Sequence, residues 1–427
     1  MIDAVKRGAG RDLGYRVVGH ENIMNILLIA DVSMATPCSG SEQVLYFQVK
    51  GLVKRHFNVF AITRRNGNAI DVEYYSSEGL QIGCYCADVN KTLLFFKSIF
   101  KSAPQAFDQF SSKTSFSVSI SHQPFTCFAL LVKKRLTSMP LIYILHSPNH
   151  EEYILSKEIN SGSTQFVQAW LRKKIESYCL KKSTKILVLS QYMKQKVIDI
   201  HRIADEKIIV NPGGVDLDWF NPPEKRASLK EELGLPAGRR HLLTVRNLEP
   251  RMGLDNLLKS IALHKDKKAN IHLVIGGEGP DRNRLESLIC NYGLKDDVTM
   301  TGFIPAEQLP KYYGAADFFV LPTRELEGFG LVTVESLACG TPVMGTPVGG
   351  TREILSGFDP QFLFKDTTPE AMAEGVAWAM DNWLNDKERY TRLRGRCRKY
   401  AEKNYSSQRH VDQLKSIIDE LVAVKGE

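Results

Sequence analysis

Glu327-Gly328-Phe329-Gly330-Leu331-Val332-Thr333-Val334-Glu335 sets two glycines between two glutamates. The short apolar run Phe318–Leu321 before it reads as a strand, and the spacing predicts a helix beginning near Gly330. A strand, a glycine-bearing turn and a helix make the repeating unit of a doubly wound α/β sheet, which binds ligands outside the carboxyl ends of its strands. The first N–H groups of such a helix lack intrahelical partners, and the helix dipole adds positive potential there, so a diphosphate fits. Gly328 and Gly330 let the backbone come close to a ligand. Glu327 lies in the loop and Glu335 about one turn inside the helix. Both carboxylates can then flank one ligand and accept hydrogen bonds from vicinal hydroxyls on separate sugar rings. Read alone, the same two residues are a loop charge and an exposed helix residue.

The strand–turn–helix rhythm recurs on both sides. Toward the amino terminus, strands are expected at Met24–Ala30, Val59–Thr63, Ser117–Ser121, Leu141–Leu145 and Ile186–Leu189, with helical patterns between them. The Pro/Gly cluster Asn211-Pro212-Gly213-Gly214 breaks the pattern and marks a linker. A second alternation follows, with strands at His241–Val245, Ile271–Ile275, Val298–Thr301, Phe318–Leu321 and Pro342–Gly345. With 427 residues, two domains are expected. The sequence divides into an amino-terminal extension (1–23), a first Rossmann-like domain (24–210), a second (211–405) and a last amphipathic helix (406–427) that closes the second domain or crosses back to the first. Met1–Ile23 is polar and lacks the apolar core of a signal peptide, so Met24 is the expected working start.

Hydrophobic residues make up 43% and charged residues 24%, which excludes a disordered chain. No apolar run is long enough to span a bilayer. The eight cysteines are scattered without a CxxC pair, which argues against a zinc site and for a reduced, cytoplasmic setting. Residues 1–210 carry 27 Lys+Arg against 17 Asp+Glu, a net of +10, and the remainder carries −2, giving +8 overall. A basic first half suits an anionic partner or is simply solvated surface. Nucleic acid is not expected, because the basic clusters do not alternate with exposed aromatics and no nucleic-acid motif is present.

The segment continues into Ala338-Cys339-Gly340-Thr341-Pro342-Val343 and Pro347-Val348-Gly349-Gly350-Thr351-Arg352-Glu353. Here the chain resembles the family 4 retaining glycosyltransferases, whose signature is a Glu, seven residues and a second Glu within EGFG-L, then A-x-G-T-P-V and a Gly-Gly turn. Asn211-Pro212-Gly213-Gly214-Val215-Asp216, Ile275-Gly276-Gly277-Glu278-Gly279-Pro280, Thr301-Gly302-Phe303-Ile304-Pro305 and Tyr313-Gly314-Ala315-Ala316-Asp317 match as well. The resemblance implies a GT-B fold, two Rossmann-like domains facing each other across a cleft. It implies transfer of a hexose from a nucleoside diphosphate sugar to a glycan or lipid-linked hydroxyl, with retention, without a metal and without a further cofactor. It assigns Glu335 to the donor's ribose, Glu327 to the donor sugar, the main chain of Gly328, Phe329, Gly330 and Leu331 to the diphosphate, and His146 to the place where sugar and acceptor meet.

Two positions depart from that pattern. In Val245-Arg246-Asn247-Leu248-Glu249-Pro250-Arg251-Met252-Gly253, Arg246 matches the family's arginine, but Met252 stands where a lysine is usual. Arg251 is the expected substitute for that charge; otherwise activity is weakened, and the alternative function is a nucleotide-sugar-binding partner of another transferase. Ser39-Gly40 replaces a common Gly-Gly pair, with Gly40 keeping the flexible position. Asp216-Leu217-Asp218 looks like a DxD metal motif but reads as part of the turn. The basic, aromatic stretch Asn90–Ser102 reads first as a core-facing helix with lysines at its margin; it also resembles segments of membrane-associated family members, which would make an anionic membrane surface a partner.

Overall fold

A computed structural model describes residues 23–34, 40–66, 72–87, 92–156, 163–264 and 270–426. The first half of the chain supplies β1 (Asn25–Ala30), β2 (Asn58–Asn66), β3 (Glu73–Ser77), β4 (Leu80–Ala87), β5 (Val118–Ser121), β6 (Leu141–Leu145), β7 (Lys185–Val188) and β8 (Ile208–Val210). They form one sheet in the order β3-β4-β2-β1-β5-β6-β7-β8. The second half supplies β9 (Arg240–Val245), β10 (Ile271–Gly276), β11 (Val298–Gly302), β12 (Phe318–Leu321) and β13 (Val343–Gly345), in the order β11-β10-β9-β12-β13. All pairings are parallel except β3 with β4.

Parallel strands with helices on both faces are buried on both sides, which is why β1 reads Ile26-Leu27-Leu28-Ile29-Ala30 without alternation. Its side chains feed two cores. Leu27 and Ile29 pack with Tyr143, Ile186 and Val188, and Ile26 and Leu28 with Ile120, Ile144 and Leu187. The covering helices show the complementary period: in Leu254–Ala262, Leu254, Leu257, Leu258 and Ile261 face inward. The antiparallel hairpin β3–β4, turning at Glu78 and Gly79, was not expected from the sequence. Gly79 is left-handed there, with φ +69°.

The chain passes from the first sheet to the second through Asn211–Asp216 and returns near Ser406. The Val215 N–H donates to the Tyr405 carbonyl at 2.8 Å and the Ser407 N–H to the Val215 carbonyl at 2.9 Å, so the two crossings lie side by side. The last helix, Ser407–Gly426, places Val411, Leu414, Ile417 and Ile418 in the core of the first sheet. Asp216 accepts from the N–H groups of Asp218 and Trp219 and faces Lys50, so Asp216-Leu217-Asp218 serves this turn. In the helix Thr92–Ser111, Phe95, Phe96 and Phe100 pack toward the first core beside Phe125 and Phe128, while Lys97 and Lys101 stay exposed; Asn90 and Lys91 lie outside the described residues. Residues 1–22 and Ser39 also lie outside them. Among the described residues, no helix is long and apolar enough to cross a membrane.

Candidate active site

The carboxyl ends of both sheets face one cleft of about 540 Å³, lined by Gly40, His146, Arg246, Arg251, the loop Glu327–Leu331 and Glu335 among others. All ten residues singled out from the sequence therefore come together. Two helix starts point into the cleft, Gly40–Lys54 from the first domain and Leu331–Ala338 from the second. They approach closely: a Cβ on Gly40 would lie 3.4 Å from Leu331 Cδ1.

The position of Glu327 is set by the chain around it. Leu326, just before it, is a buried leucine held left-handed at φ 56°, a conformation that persists only where the surroundings enforce it. Leu326 packs into the core of the first domain, and its carbonyl accepts from Arg251 Nη1 at 3.2 Å. Just past Val348, the Gly350 N–H donates to the Glu327 carbonyl at 2.9 Å. Gly349, at φ +54°, lies so close to that carbonyl that an added Cβ would sit 2.0 Å from its oxygen. The EGFG loop and the later Gly-Gly turn thus interlock.

Glu327 is 8% exposed as a residue, and its carboxylate accepts from Arg246 Nη2 at 2.7 Å and from the Thr323 hydroxyl at 3.0 Å. Arg246, at the carboxyl end of β9, also directs Nη2 at the Met252 sulfur, 2.7 Å away. Its Nε is buried without a hydrogen-bond partner among the described residues. Met252 is itself buried among apolar side chains. Arg251 lines the cleft, with Nε on Glu249 at 2.9 Å and Nη1 on the Leu326 carbonyl. The cationic side of the cleft is therefore two arginines braced by protein carboxylates and carbonyls.

Glu335 is 2% exposed, and the Tyr313 hydroxyl donates to it at 2.7 Å. Burial pushes the Glu335 carboxyl up to about 7; the Tyr313 hydrogen bond opposes this but is the smaller effect. At neutral pH this carboxyl is poised between its two forms.

Across the cleft, His146 follows β6, and its Nε2 lies 3.1 Å from Nδ1 of His122 with the rings stacked. Burial holds both imidazoles neutral, His146 down to about 4. The seam is tight here. A Cβ on Gly328 would meet the His146 carbonyl at 2.4 Å, and the Ser190 hydroxyl donates to the Gly328 carbonyl at 2.6 Å. Beside it, Glu353 accepts from the N–H groups of Gln191 and Tyr192 at 2.9 and 2.6 Å, a carboxylate of one domain on a helix start of the other.

Thr323, Tyr313 and His122 are partners of the site residues that were not expected from the sequence. Tyr313 stood within a recognised motif and Thr323 just beyond a strand, but pairing across such separations has no local signal. Among the described residues, no group of three or more His, Cys, Asp or Glu side chains is placed to hold a metal ion.

Residues 38–219 match the family model described as Glycosyltransferase Family 4, and residues 225–404 match Glycosyl transferases group 1. A GDP-mannose-dependent alpha-(1-6)-phosphatidylinositol monomannoside mannosyltransferase of Mycolicibacterium smegmatis is 34% identical over 198 residues, 40% of this chain and 51% of the relative. A D-inositol 3-phosphate glycosyltransferase of Segniliparus rotundus is 31% identical over 251 residues, 58% of this chain and 54% of the relative. The chain thus spans about half the length of these curated relatives. Among solved structures, sucrose-phosphate synthase from Thermosynechococcus elongatus superposes with a TM-score of 0.78 at 22% identity, covering 94% of this chain and all of that one. Anabaena HepE in complex with UDP-glucose superposes with a TM-score of 0.70 at 18% identity, covering 93% of this chain and all of that one. Two matched family models, nearly end to end, on two facing parallel-sheet domains place the chain among the family 4 glycosyltransferases, with the GT-B fold.

Proposed function

We propose that the protein moves a hexose from a nucleoside diphosphate sugar to a hydroxyl acceptor, with retention at the anomeric carbon and without a metal ion. The observation that carries this reading is the pair Glu327 and Glu335, both buried in one cleft on either side of a helix start, with Arg246 against the first. Glu335 would accept from the ribose hydroxyls. The N–H groups at the start of Leu331–Ala338 would receive the diphosphate, with Gly328, Phe329 and Gly330 allowing its approach. Glu327 would hold the sugar. Arg246 and Arg251 would take up charge as the sugar–oxygen bond breaks, the contribution expected to lower the barrier most.

Nothing in the cleft is assigned as a carboxylate nucleophile, so positioning and leaving-group stabilisation carry the reaction. The acceptor oxygen bonds to the anomeric carbon on the face the diphosphate leaves, and its proton passes to the departing phosphate oxygen. His146, neutral and beside His122, would orient the hydroxyls where sugar and acceptor meet. The contacts of Gly328 with His146 and Ser190 would exclude water from the reacting carbon.

GDP-mannose and UDP-glucose are the first donors to try, since the mannosyltransferase relative and the HepE complex are named for them. The acceptor expected is a hydroxyl of a glycan or of a lipid-linked sugar or polyol. A thermal-shift panel of UDP, GDP and their sugars tests the donor: one nucleotide series should raise the melting temperature, and no shift with any member would remove the reading.

Met252 favours a second reading, a nucleotide-sugar-binding protein weak in catalysis. The usual cation is absent there, and Arg251 is already engaged by Glu249 and Leu326. Free nucleoside diphosphate, formed with donor and acceptor together, separates the enzyme from the binder.

A further inference from the structure

We propose that the outer face of the helix Ser163–Lys182 docks the protein on an anionic lipid surface. In a water-soluble fold, large apolar side chains stand exposed one at a time; contiguous ones mark a contact. Here Phe166 is 70% exposed, Val167 62%, Trp170 58% and Leu171 38%. Their spacing puts all four on one face of one helix, in its first half. The same face continues into Lys174, Tyr178, Lys181 and Lys182, all exposed. Lys174 Nζ lies 5.4 Å from the Trp170 ring and Lys182 Nζ 6.0 Å from the Tyr178 ring, so each of these aromatic rings carries a cation at its margin.

This combination fits a bilayer interface. Tryptophan and tyrosine rings settle at headgroup depth, apolar neighbours reach the acyl boundary, and lysines meet anionic headgroups. The helix has one acidic residue, Glu176, and it is buried. Beside the helix, with Phe128 packed edge-on against Tyr178 at 5.4 Å, the helix Pro124–Val132 ends in exposed Val132, Lys133 and Lys134. A second copy of the chain is a poor occupant, because it could cover the apolar half but would bring no carboxylate of this helix to the lysines, Glu176 being buried.

The inner face of the helix reaches the active-site cleft, where Glu176 and Asn149 line the wall on the first-domain side. A helix with its side chains is about 10–12 Å across, so a lipid surface on the outer face lies roughly that far from the cleft wall. Where the glycosyl-transfer reading also holds, an acceptor anchored in that surface needs only a headgroup of that reach to enter.

The experiment is co-sedimentation of the full chain with phosphatidylcholine vesicles, with and without phosphatidylglycerol. Two paired variants, Phe166→Ser with Trp170→Ser and Lys174→Glu with Lys182→Glu, change exposed side chains and should leave the melting temperature unchanged. The wild-type protein should partition onto the anionic vesicles and be released by salt, and each pair should weaken partition by roughly tenfold or more. Failure of the wild type to bind anionic vesicles, equal binding to neutral ones, or variants that bind as well would overturn the proposal. So would a wild-type dimer that Phe166→Ser with Trp170→Ser dissociates, since a second copy would then cover the patch. Donor binding, followed separately by thermal shift, keeps this outcome distinct from that of the glycosyl-transfer reading.

Discussion

Glu335→Gln takes one titrating group out of the cleft while keeping its shape. Burial pushes the Glu335 carboxyl up to about 7 in the folded protein, whereas an unfolded glutamate titrates near ~4.3. The folded state therefore holds this proton more tightly. The stability it contributes is complete below about 4.3 and is lost as pH rises through about 7. At about 1.4 kcal/mol per pH unit, the whole loss is on the order of 4 kcal/mol, of which roughly 2–3 kcal/mol falls between pH 5 and 8. Urea unfolding of both proteins at those two pH values isolates the effect, because every other titrating group is common to them. Wild type should lose roughly 2–3 kcal/mol more than Glu335→Gln over that interval.

The same group predicts a binding signature. A carboxyl that accepts from both ribose hydroxyls does so best when ionised, so wild-type affinity for a nucleotide sugar should rise from pH 5.5 to 7. A nucleotide sugar has no terminal phosphate to titrate in this range, so the slope reports on the protein. Glu335→Gln should bind more weakly and without the slope. Parallel stability curves, or a pH slope that survives in Glu335→Gln, would refute the reasoning.

Glu327→Ala leaves the Arg246 side chain, 8% exposed, without its carboxylate, which should cost about 3 kcal/mol of stability by denaturant unfolding. Glu327→Ala and Arg246→Ala should each also cut transfer at least about tenfold under the proposed roles; wild-type rates in both would remove the assignment. Met252→Lys puts a second cation beside Arg246, so it should lower the stability of the free protein and tighten nucleoside diphosphate binding, read by calorimetry. Glu353→Ala removes the carboxylate that ties the domains together at Gln191 and Tyr192, so the share of donor lost to water should rise relative to transfer, measured as free sugar against product.

Strands that are buried on both faces announce themselves as unbroken apolar runs, and Leu141–Leu145 and Phe318–Leu321 stand where those runs predict. The helix Leu331–Ala338 begins just after Gly330, where the spacing predicts it. The hairpin β3–β4 escaped notice because Glu73-Tyr74-Tyr75-Ser76-Ser77 lies at a sheet edge, half of it in solvent, and presents no apolar run. The helix Lys387–Asn404 is dominated by charge; its inward stripe is only Tyr390, Leu393, Cys397 and Ala401.

At the site, the motif identified which residues would line the cleft, because backbone geometry confines the loop from Glu327 to Leu331. It did not reveal what those residues touch. Tyr313 against Glu335, Thr323 against Glu327 and His122 against His146 are contacts between separate segments, set by packing across a sheet or between strand ends. The neutral or charged state of Glu335 follows from such packing, so the charge of the site at neutral pH was beyond the reach of the sequence. The exposed face of Ser163–Lys182 was equally hidden. Its lysines were visible as basic clusters, but whether Phe166 and Trp170 faced inward or outward depended on the neighbouring helices.

Proton NMR of the reaction between a hydroxyl acceptor and the nucleotide sugar that stabilises the protein most reads glycosyl transfer and its stereochemistry together. A retaining transferase releases one nucleoside diphosphate per sugar transferred and gives a product whose anomeric configuration equals that of the donor. An inverted product, or a bound donor from which nothing is ever transferred, would contradict the proposed function.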